Sequence, residues 1–191
     1  MVELSLHLLD IVENSLEAGA TRVEISLRET EEWLALEIKD NGRGMDARTA
    51  GCVFDPFFTT RRTRRIGLGL PMLKQAAELT GGTVEIKSKP GEGTVVYVRF
   101  NKQSIDCMPL GDVAATLQVI LACNPELELL YEHELNGKTF KLDTREIRRI
   151  LGEVPVNAPG VLKWIKQYVE SGLEELRGGV NYEDHRGPEA G

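Results

Sequence analysis

Apolar residues recur along this chain in two rhythms, one helical and one alternating, and together they predict its elements. Over residues 4–18, Leu4, Leu8, Leu9, Val12 and Leu16 return at helical spacing, with Gly19 placed to end the helix. Val23, Ile25 and Leu27, then Leu34, Leu36 and Ile38, alternate with polar residues as half-buried strands do, and residues 29–32 form the turn between them. Residues 40–45 make a glycine-containing loop, and residues 52–66 have little regular period and many Arg and Thr. Gly67 then opens a second amphipathic helix that reaches about Leu79 and is closed by Gly81-Gly82. Strands over 84–88 and 94–100 flank the turn Pro90-Gly91-Glu92-Gly93.

Beyond Phe100 the texture changes. Residues 112–122 read as a helix stopped by Asn124-Pro125, and residues 126–134 and 138–142 flank Asn136-Gly137, a strong hairpin signal. Asp143-Thr144-Arg145-Glu146 has capping-box spacing ahead of a helical run over 147–151. A last amphipathic helix is expected over 161–176, and the polar tail from Gly178 is expected to be disordered. The element order predicts an α+β fold, a two-layer sandwich of helices on one face of a mixed, largely antiparallel sheet. The expected organisation is one domain over 1–100, a small α+β docking or dimerisation segment over 101–177, and a tail over 178–191. No internal repeat is present.

Composition narrows the function classes. The 191 residues are 41% apolar, enough for a packed core, and the formal net charge of −7 argues against a broad nucleic-acid-binding surface. No run of eighteen apolar residues is present, so no membrane span is expected, and the N-terminus lacks the pattern of a signal peptide. Cys52, Cys107 and Cys123 are odd in number and show no CxxC spacing; they read as reduced thiols, and a cytoplasmic protein is expected.

Candidate chemistry lies in three places. Asp10, Asn14 and Glu17 share one face of the first helix, where a carboxylate and an amide oxygen suit Mg²⁺ and a positioned water; a solvated helix face gives the same pattern. Asp40-Asn41-Gly42-Arg43-Gly44-Met45 follows a strand. A carboxylate there, beside glycines that admit close approach, can accept a hydrogen bond from an exocyclic amine; an ordinary Asn-Gly turn is the alternative. Gly67-Leu68-Gly69-Leu70 sits at a loop-to-helix junction whose N–H groups suit a phosphate, or simply make a flexible helix entry. Upstream, Arg61, Arg62, Arg64 and Arg65 concentrate charge that would close over a triphosphate or dock an acidic partner.

The order and spacing of these segments carry a resemblance. DIVENSLEAGATRVEISL resembles the first ATP-binding motif of the mismatch-repair ATPases of the GHKL superfamily (gyrase, heat-shock chaperone, histidine kinase, mismatch repair), and KDNGRGM resembles its second motif. The stretch from FDPFFTTRRTRRIGLGL through GEGTVVYVRF resembles the lid, phosphate turn and last strands of histidine-kinase catalytic domains. The resemblance spans residues 4–100 and implies the Bergerat-type ATP-binding fold, with ATP and Mg²⁺ bound. By that resemblance Asn14 coordinates Mg²⁺, and Asp40 accepts the adenine amino group with Thr94 supporting it through water. Gly42 and Gly44 shape the adenine pocket and Met45 lines it. Gly67, Leu68, Gly69 and Leu70 supply phosphate-binding amides, and Phe54, Phe57 and Phe58 anchor the lid with its arginines. Asp10 stands where hydrolytic members carry a glutamate general base; it is one methylene shorter, and general-base work depends on reach.

The whole chain resembles short stand-alone histidine-kinase-like ATP-binding proteins. Only nine residues precede Asp10, so no helical hairpin bearing a phosphoacceptor histidine is seen ahead of it; His7 falls inside the first helix, and His133 and His185 have no recognisable acceptor context. The expected function is a regulatory kinase acting on a separate partner protein. The alternatives are a slow ATPase that works as a nucleotide-driven switch and a non-catalytic ATP/ADP sensor. A protein partner and a homodimer are expected interactions.

Overall fold

The computed structural model describes residues 3–55 and 69–178. Helix α1 (Leu4–Glu17) leads into the hairpin of β1 (Arg22–Glu29) and β2 (Trp33–Asp40). Short α2 (Ala47–Cys52), α3 (Gly69–Leu79), β3 (Thr83–Lys89) and β4 (Gly93–Asn101) follow. Helix α4 (Val113–Cys123), strands β5 (Glu128–Leu135) and β6 (Lys138–Asp143), and helices α5 (Thr144–Leu151) and α6 (Pro159–Leu176) complete the chain.

The strands form one six-stranded sheet in the order β3-β4-β2-β1-β5-β6. Every neighbouring pair is antiparallel except β1 and β5, which run parallel from Arg22 opposite Glu128 to Glu29 opposite Leu135. A parallel pair needs a long crossover, and here everything from β2 to α4 lies between the two strands. Segment 101–177 thus contributes two strands to the same sheet as the first hundred residues.

Alternation sets the inner face. Val23, Ile25 and Leu27 of β1, Leu34, Leu36 and Ile38 of β2, and Val96, Val98 and Phe100 of β4 are buried together with Leu129 and Tyr131 of β5. Leu4, Leu8, Ile11 and Val12 of α1, Leu73 and Ala77 of α3, Leu117, Ile120 and Leu121 of α4, and Ile165 and Val169 of α6 close the same core. Burying a large aliphatic side chain contributes about 1.5–3 kcal/mol, so this shared core, more than helix propensity, holds the helices on the sheet. The other face is polar: Glu24 reaches Arg22 and Lys39, and the Arg99 guanidinium stacks 4.2 Å from the centre of the Trp33 ring. The result is the two-layer α+β sandwich expected from the element order.

Local chemistry explains the ends of the elements. Glu3 gives α1 no side-chain cap; instead Leu4 N–H and Ser5 N–H donate to the carbonyls of Pro109 and Leu110, at 3.0 and 2.9 Å. Asn136 and Gly137 both have positive φ, 51° and 80°, as the Asn-Gly hairpin signal requires. Asp143 caps α5 by accepting from Arg145 N–H, and the Arg145 side chain returns to clamp the same carboxylate. Helix α2 had no counterpart in the sequence pattern: it has six residues and no buried one, and it is set by Asp46 accepting the Thr49 N–H at 2.7 Å. Helix α6 starts at Pro159, two residues before the first residue expected from periodicity, with the proline at the first turn where its missing N–H costs nothing.

Candidate functional site

A cavity of about 480 Å³ opens between α1 and the strand ends near Asp40. Ile11, Asn14, Ser15 and Ala18, spaced as one face of a helix, form one wall. Asp40 at the end of β2, with Thr94 and Val96 of β4 and Ile86 of β3, forms the floor. Arg43, Gly44, Met45 and Pro90 make the rim, Thr49 and Val53 approach from α2, and Gly69, Leu70 and Pro71 close it from α3. A concave site of this size, mostly apolar with a few convergent polar groups, suits a flat organic ligand.

Asp40 is the centre of the polar groups. It is buried, with one carboxylate oxygen accepting from Gly42 N–H at 2.8 Å and Thr94 N–H at 3.2 Å, and the other accepting from the Ser15 hydroxyl at 2.8 Å. An ionised carboxylate has about four acceptor positions, so three donors fix its orientation and leave acceptor capacity toward the cavity.

The backbone around Asp40 tolerates no side chain at two glycines. Gly44 has φ +66°, and a Cβ there would land on the Lys89 carbonyl oxygen; Gly93 has φ +92°, and its Cβ would land on the Asp40 carbonyl oxygen. Both obstacles are backbone atoms and cannot swing aside. Gly42 sits back from the cavity, where a Cβ would press Ala18 and Asp40, each at 3.0 Å. Asn41 ties the loop to β1 by accepting Thr21 N–H and Arg22 N–H, both at 2.9 Å, and Gly91 N–H donates to the Arg43 carbonyl at 2.8 Å. The loop is thus laced to both neighbouring turns.

The structure brings Asn14, Asp40, Gly44, Met45, Gly69, Leu70 and Thr94 to one cavity, with Glu17 beside Asn14. Asp10 stands one turn earlier on α1, next to the start of α3: its Oδ2 lies 3.4 Å from where a Gly69 Cβ would be. Phe54 stands apart from the cavity lining, with the Lys74 ammonium 5.4 Å above its ring. Phe57, Phe58, Arg61, Arg62, Arg64, Arg65, Gly67 and Leu68 lie outside the described residues, as does the tail beyond Gly178. Sequence reasoning missed Ser15 and Ser88. Each is a polar residue at a position that the hydrophobic period assigns to the interior, after Ile11 on α1 and after Val84 and Ile86 on β3.

Among the described residues, no group of three or more His, Cys, Asp or Glu is placed to hold a metal ion. That donor set still fits Mg²⁺, which commonly takes one or two protein oxygens and completes its shell with water and phosphate. Asn14 and Glu17 bring side-chain oxygens to the α1 wall of the cavity, where the hydroxyl of Ser15 between them is committed to Asp40.

The two histidines among the described residues are engaged elsewhere. His7 is 4% exposed, and burial lowers its pKa against the opposing charge of Asp10. His133 is 1% exposed, with Nδ1 2.9 Å from the Tyr131 hydroxyl and Nε2 2.8 Å from Glu29 Oε1. Lys102 donates to the other Glu29 oxygen at 2.9 Å. The His133 hydrogen bond, with Lys102 assisting, draws the Glu29 pKa down to about 2, while burial pushes the Tyr131 phenol well above its ordinary range.

The family model described as histidine kinase-, DNA gyrase B-, and HSP90-like ATPase matches residues 2–104. The chain belongs to this family. Membership in this family implies ATP binding. The sensor histidine kinase YvrG of Bacillus subtilis (strain 168) is 34% identical over 87 residues, covering 44% of this chain and 15% of YvrG. YxdK, a sensor histidine kinase of the same strain, is 37% identical over 83 residues, covering 41% of this chain and 26% of YxdK. The chain therefore spans about a quarter or less of these relatives. The crystal structure of the N-terminal domain of a DNA repair protein superposes with a TM-score of 0.52 at 17% identity, covering 75% of this chain and 53% of that one, a likeness of fold. Among the described residues, no helix is long and apolar enough to cross a membrane.

Proposed function

We propose that this chain binds Mg-ATP in the cavity beside Asp40 and acts as the catalytic domain of a regulatory kinase whose phosphoacceptor lies on a separate protein. The observation that carries the reading is the Asp40 carboxylate, held by Ser15, Gly42 and Thr94 with acceptor capacity left for an exocyclic amine. Ile11, Ala18, Met45, Ile86 and Val96 would sandwich the base. Asn14 would hold Mg²⁺, and the amides at Gly69 and Leu70 would meet phosphate. When bound, ATP supplies the transferable phosphoryl group; the protein's task is positioning and charge stabilisation. A partner as acceptor is favoured because His7 and His133, the two histidines among the described residues, are both buried. Incubation with γ-labelled ATP and proteins co-purified from the source cells should label a partner band that Asp40→Asn abolishes. Absence of labelled protein despite tight ATP binding counts against the kinase.

A second reading, a slow ATPase that acts as a nucleotide-driven switch, is favoured by two observations. Asp10 of α1 lies against the Gly69 end of α3, and the N-terminus of α1 is pinned by the carbonyls of Pro109 and Leu110. A change at the ligand would thus be felt by the C-terminal half. Steady ADP release by purified protein, lost in Asp10→Ala, would support it; no release would leave the kinase.

A further inference from the structure

Helix α6 presents a fixed aromatic pair to solvent. Trp164 is 49% exposed and Tyr168 42%, and their rings stack with centres 5.2 Å apart and planes 9° from parallel. Tyr168 leans in turn on Phe140 at 5.2 Å, and Phe140 meets the buried Tyr131 at 6.4 Å, so an unbroken aromatic run leads from the core to the surface. The Tyr168 hydroxyl donates to the Lys141 carbonyl of β6, the outermost strand at that end of the sheet, at 3.3 Å. Single exposed apolar residues need no explanation. A stacked pair held in place is different: it offers a joint apolar surface that is already ordered, and Trp and Tyr are the residues that anchor interfaces.

The rest of the exposed face says what would fit there. Ile165, Val169 and Leu173 face the core. On the opposite side Gly160, Trp164, Gln167, Ser171 and Glu174 return in steps of four and three, the stripe along which one helix packs on another, and all five are exposed. Gly160 and Ser171, one turn before Trp164 and two turns after it, are small enough to let a second helix approach. The charge runs in one sense along α6: Lys163 and Lys166 lie in its N-terminal half, and Glu170 and Glu174 in its C-terminal half. A helix charged in this way complements an antiparallel copy of itself.

We propose that the exposed face of α6 is a self-association surface: two copies of the chain pack their α6 helices antiparallel about a twofold axis near Gln167, covering the Trp164–Tyr168 stack and setting Lys163 of each copy against Glu170 of the other. A twofold contact is self-complementary by construction. In a parallel pairing Lys163 would meet Lys163 and Glu170 would meet Glu170. The surface lies beyond residues 2–104, the span that the family model matches. No residue of α6 lines the cavity, so the proposal stands apart from the ATP reading. An 18-residue helix is about 27 Å long. One such contact is at the small end of specific interfaces, so the dimer should be reversible and of micromolar affinity rather than obligate.

The test is sedimentation of the full chain across the micromolar range, without nucleotide, for wild type, Lys163→Glu, Glu170→Lys, the double variant and Trp164→Ala. Wild type should pass from monomer to dimer as its concentration rises. Each single charge reversal turns two attractive contacts into two repulsive ones and should weaken the dimer by about tenfold. The double variant restores opposite charges and should return to within about threefold of wild type. Trp164→Ala removes the anchor and should weaken the dimer by roughly thirtyfold or more. Melting curves of the dilute variants check that each is folded; if Trp164→Ala is not, the exposed charge reversals carry the test by themselves. A dimer indifferent to the single reversals, or one that the double variant does not rescue, overturns the antiparallel α6 contact. A chain that stays monomeric overturns the proposal as well, whether residues 179–191 of the same chain or a different protein then proves to cover the face.

Discussion

Asp40→Asn isolates the charge at the centre of the cavity from the fold around it. Asn has nearly the same shape, and its amide oxygen can keep the Gly42 and Thr94 N–H bonds now made at 2.8 and 3.2 Å. The amide nitrogen then takes the position facing Ser15 and the cavity. The Ser15 hydroxyl has an alternative acceptor in the Ile11 carbonyl at 3.2 Å, so it is not left unpaired. The loss of native stability should therefore stay near 1 kcal/mol, a fall in melting temperature of about 2–4 °C for a chain of this size. Ligand binding should suffer more. The amine of adenine would meet an N–H₂ group instead of a carboxylate, and a hydrogen bond to a charged group contributes about 1.5–3 kcal/mol. That corresponds to roughly 10- to 150-fold weaker ATP binding. Calorimetric titration of both proteins, with melting curves recorded without nucleotide, separates the two effects. A folded Asp40→Asn protein that binds ATP within twofold of wild type would refute the role given to Asp40.

Three further outcomes follow from the same structure. Glu29 falls from its ordinary 4.5 to about 2 on folding, chiefly through the His133 hydrogen bond, so it contributes stability above pH 4.5 that is lost as the pH falls toward 2. The urea midpoint of Glu29→Gln should therefore lie below wild type near neutrality and converge with it toward pH 2; a pH-independent gap would contradict this. In Gly172→Ala the added methyl would run into the Phe140 ring, which packs between Tyr131 and Tyr168, and overpacking should cost about 1–3 kcal/mol in thermal unfolding. A chain ended after residue 104 loses the parallel partner of β1, the α4 and α6 side of the core and the carbonyls that cap α1; it should lack a cooperative melting transition.

The fold was legible wherever a local rhythm was enough. Leu4, Leu8 and Val12 announced α1, the alternation of Val23 to Leu27 and Leu34 to Ile38 announced the first hairpin, and Asn136-Gly137 announced the second. The parallel pairing of β1 with β5 was not legible, because no local pattern records a partner about a hundred residues away. Helix α2 was invisible because it buries nothing and so has no apolar period. The same distinction runs through the site. Asp40 and the glycines of its loop stood out as a motif, whereas Ser15 and Ser88 act through partners 25 and 43 residues away. A usable signal was present: a serine at an interior position of an amphipathic element must find a buried partner. The Glu29–His133 contact, whose members stand 104 positions apart, left no such trace.

The central claim is that this cavity is an ATP site organised by Asp40, and a titration of ¹⁵N-labelled protein with Mg-ATP, followed by amide chemical shifts, tests it most directly. Saturable one-to-one shifts should concentrate at residues 40–45, at Gly93 and Thr94, and at Gly69 and Leu70, with small changes on the polar face of the sheet around Glu24 and Glu37. No saturable change, or shifts centred away from Asp40, would contradict the account.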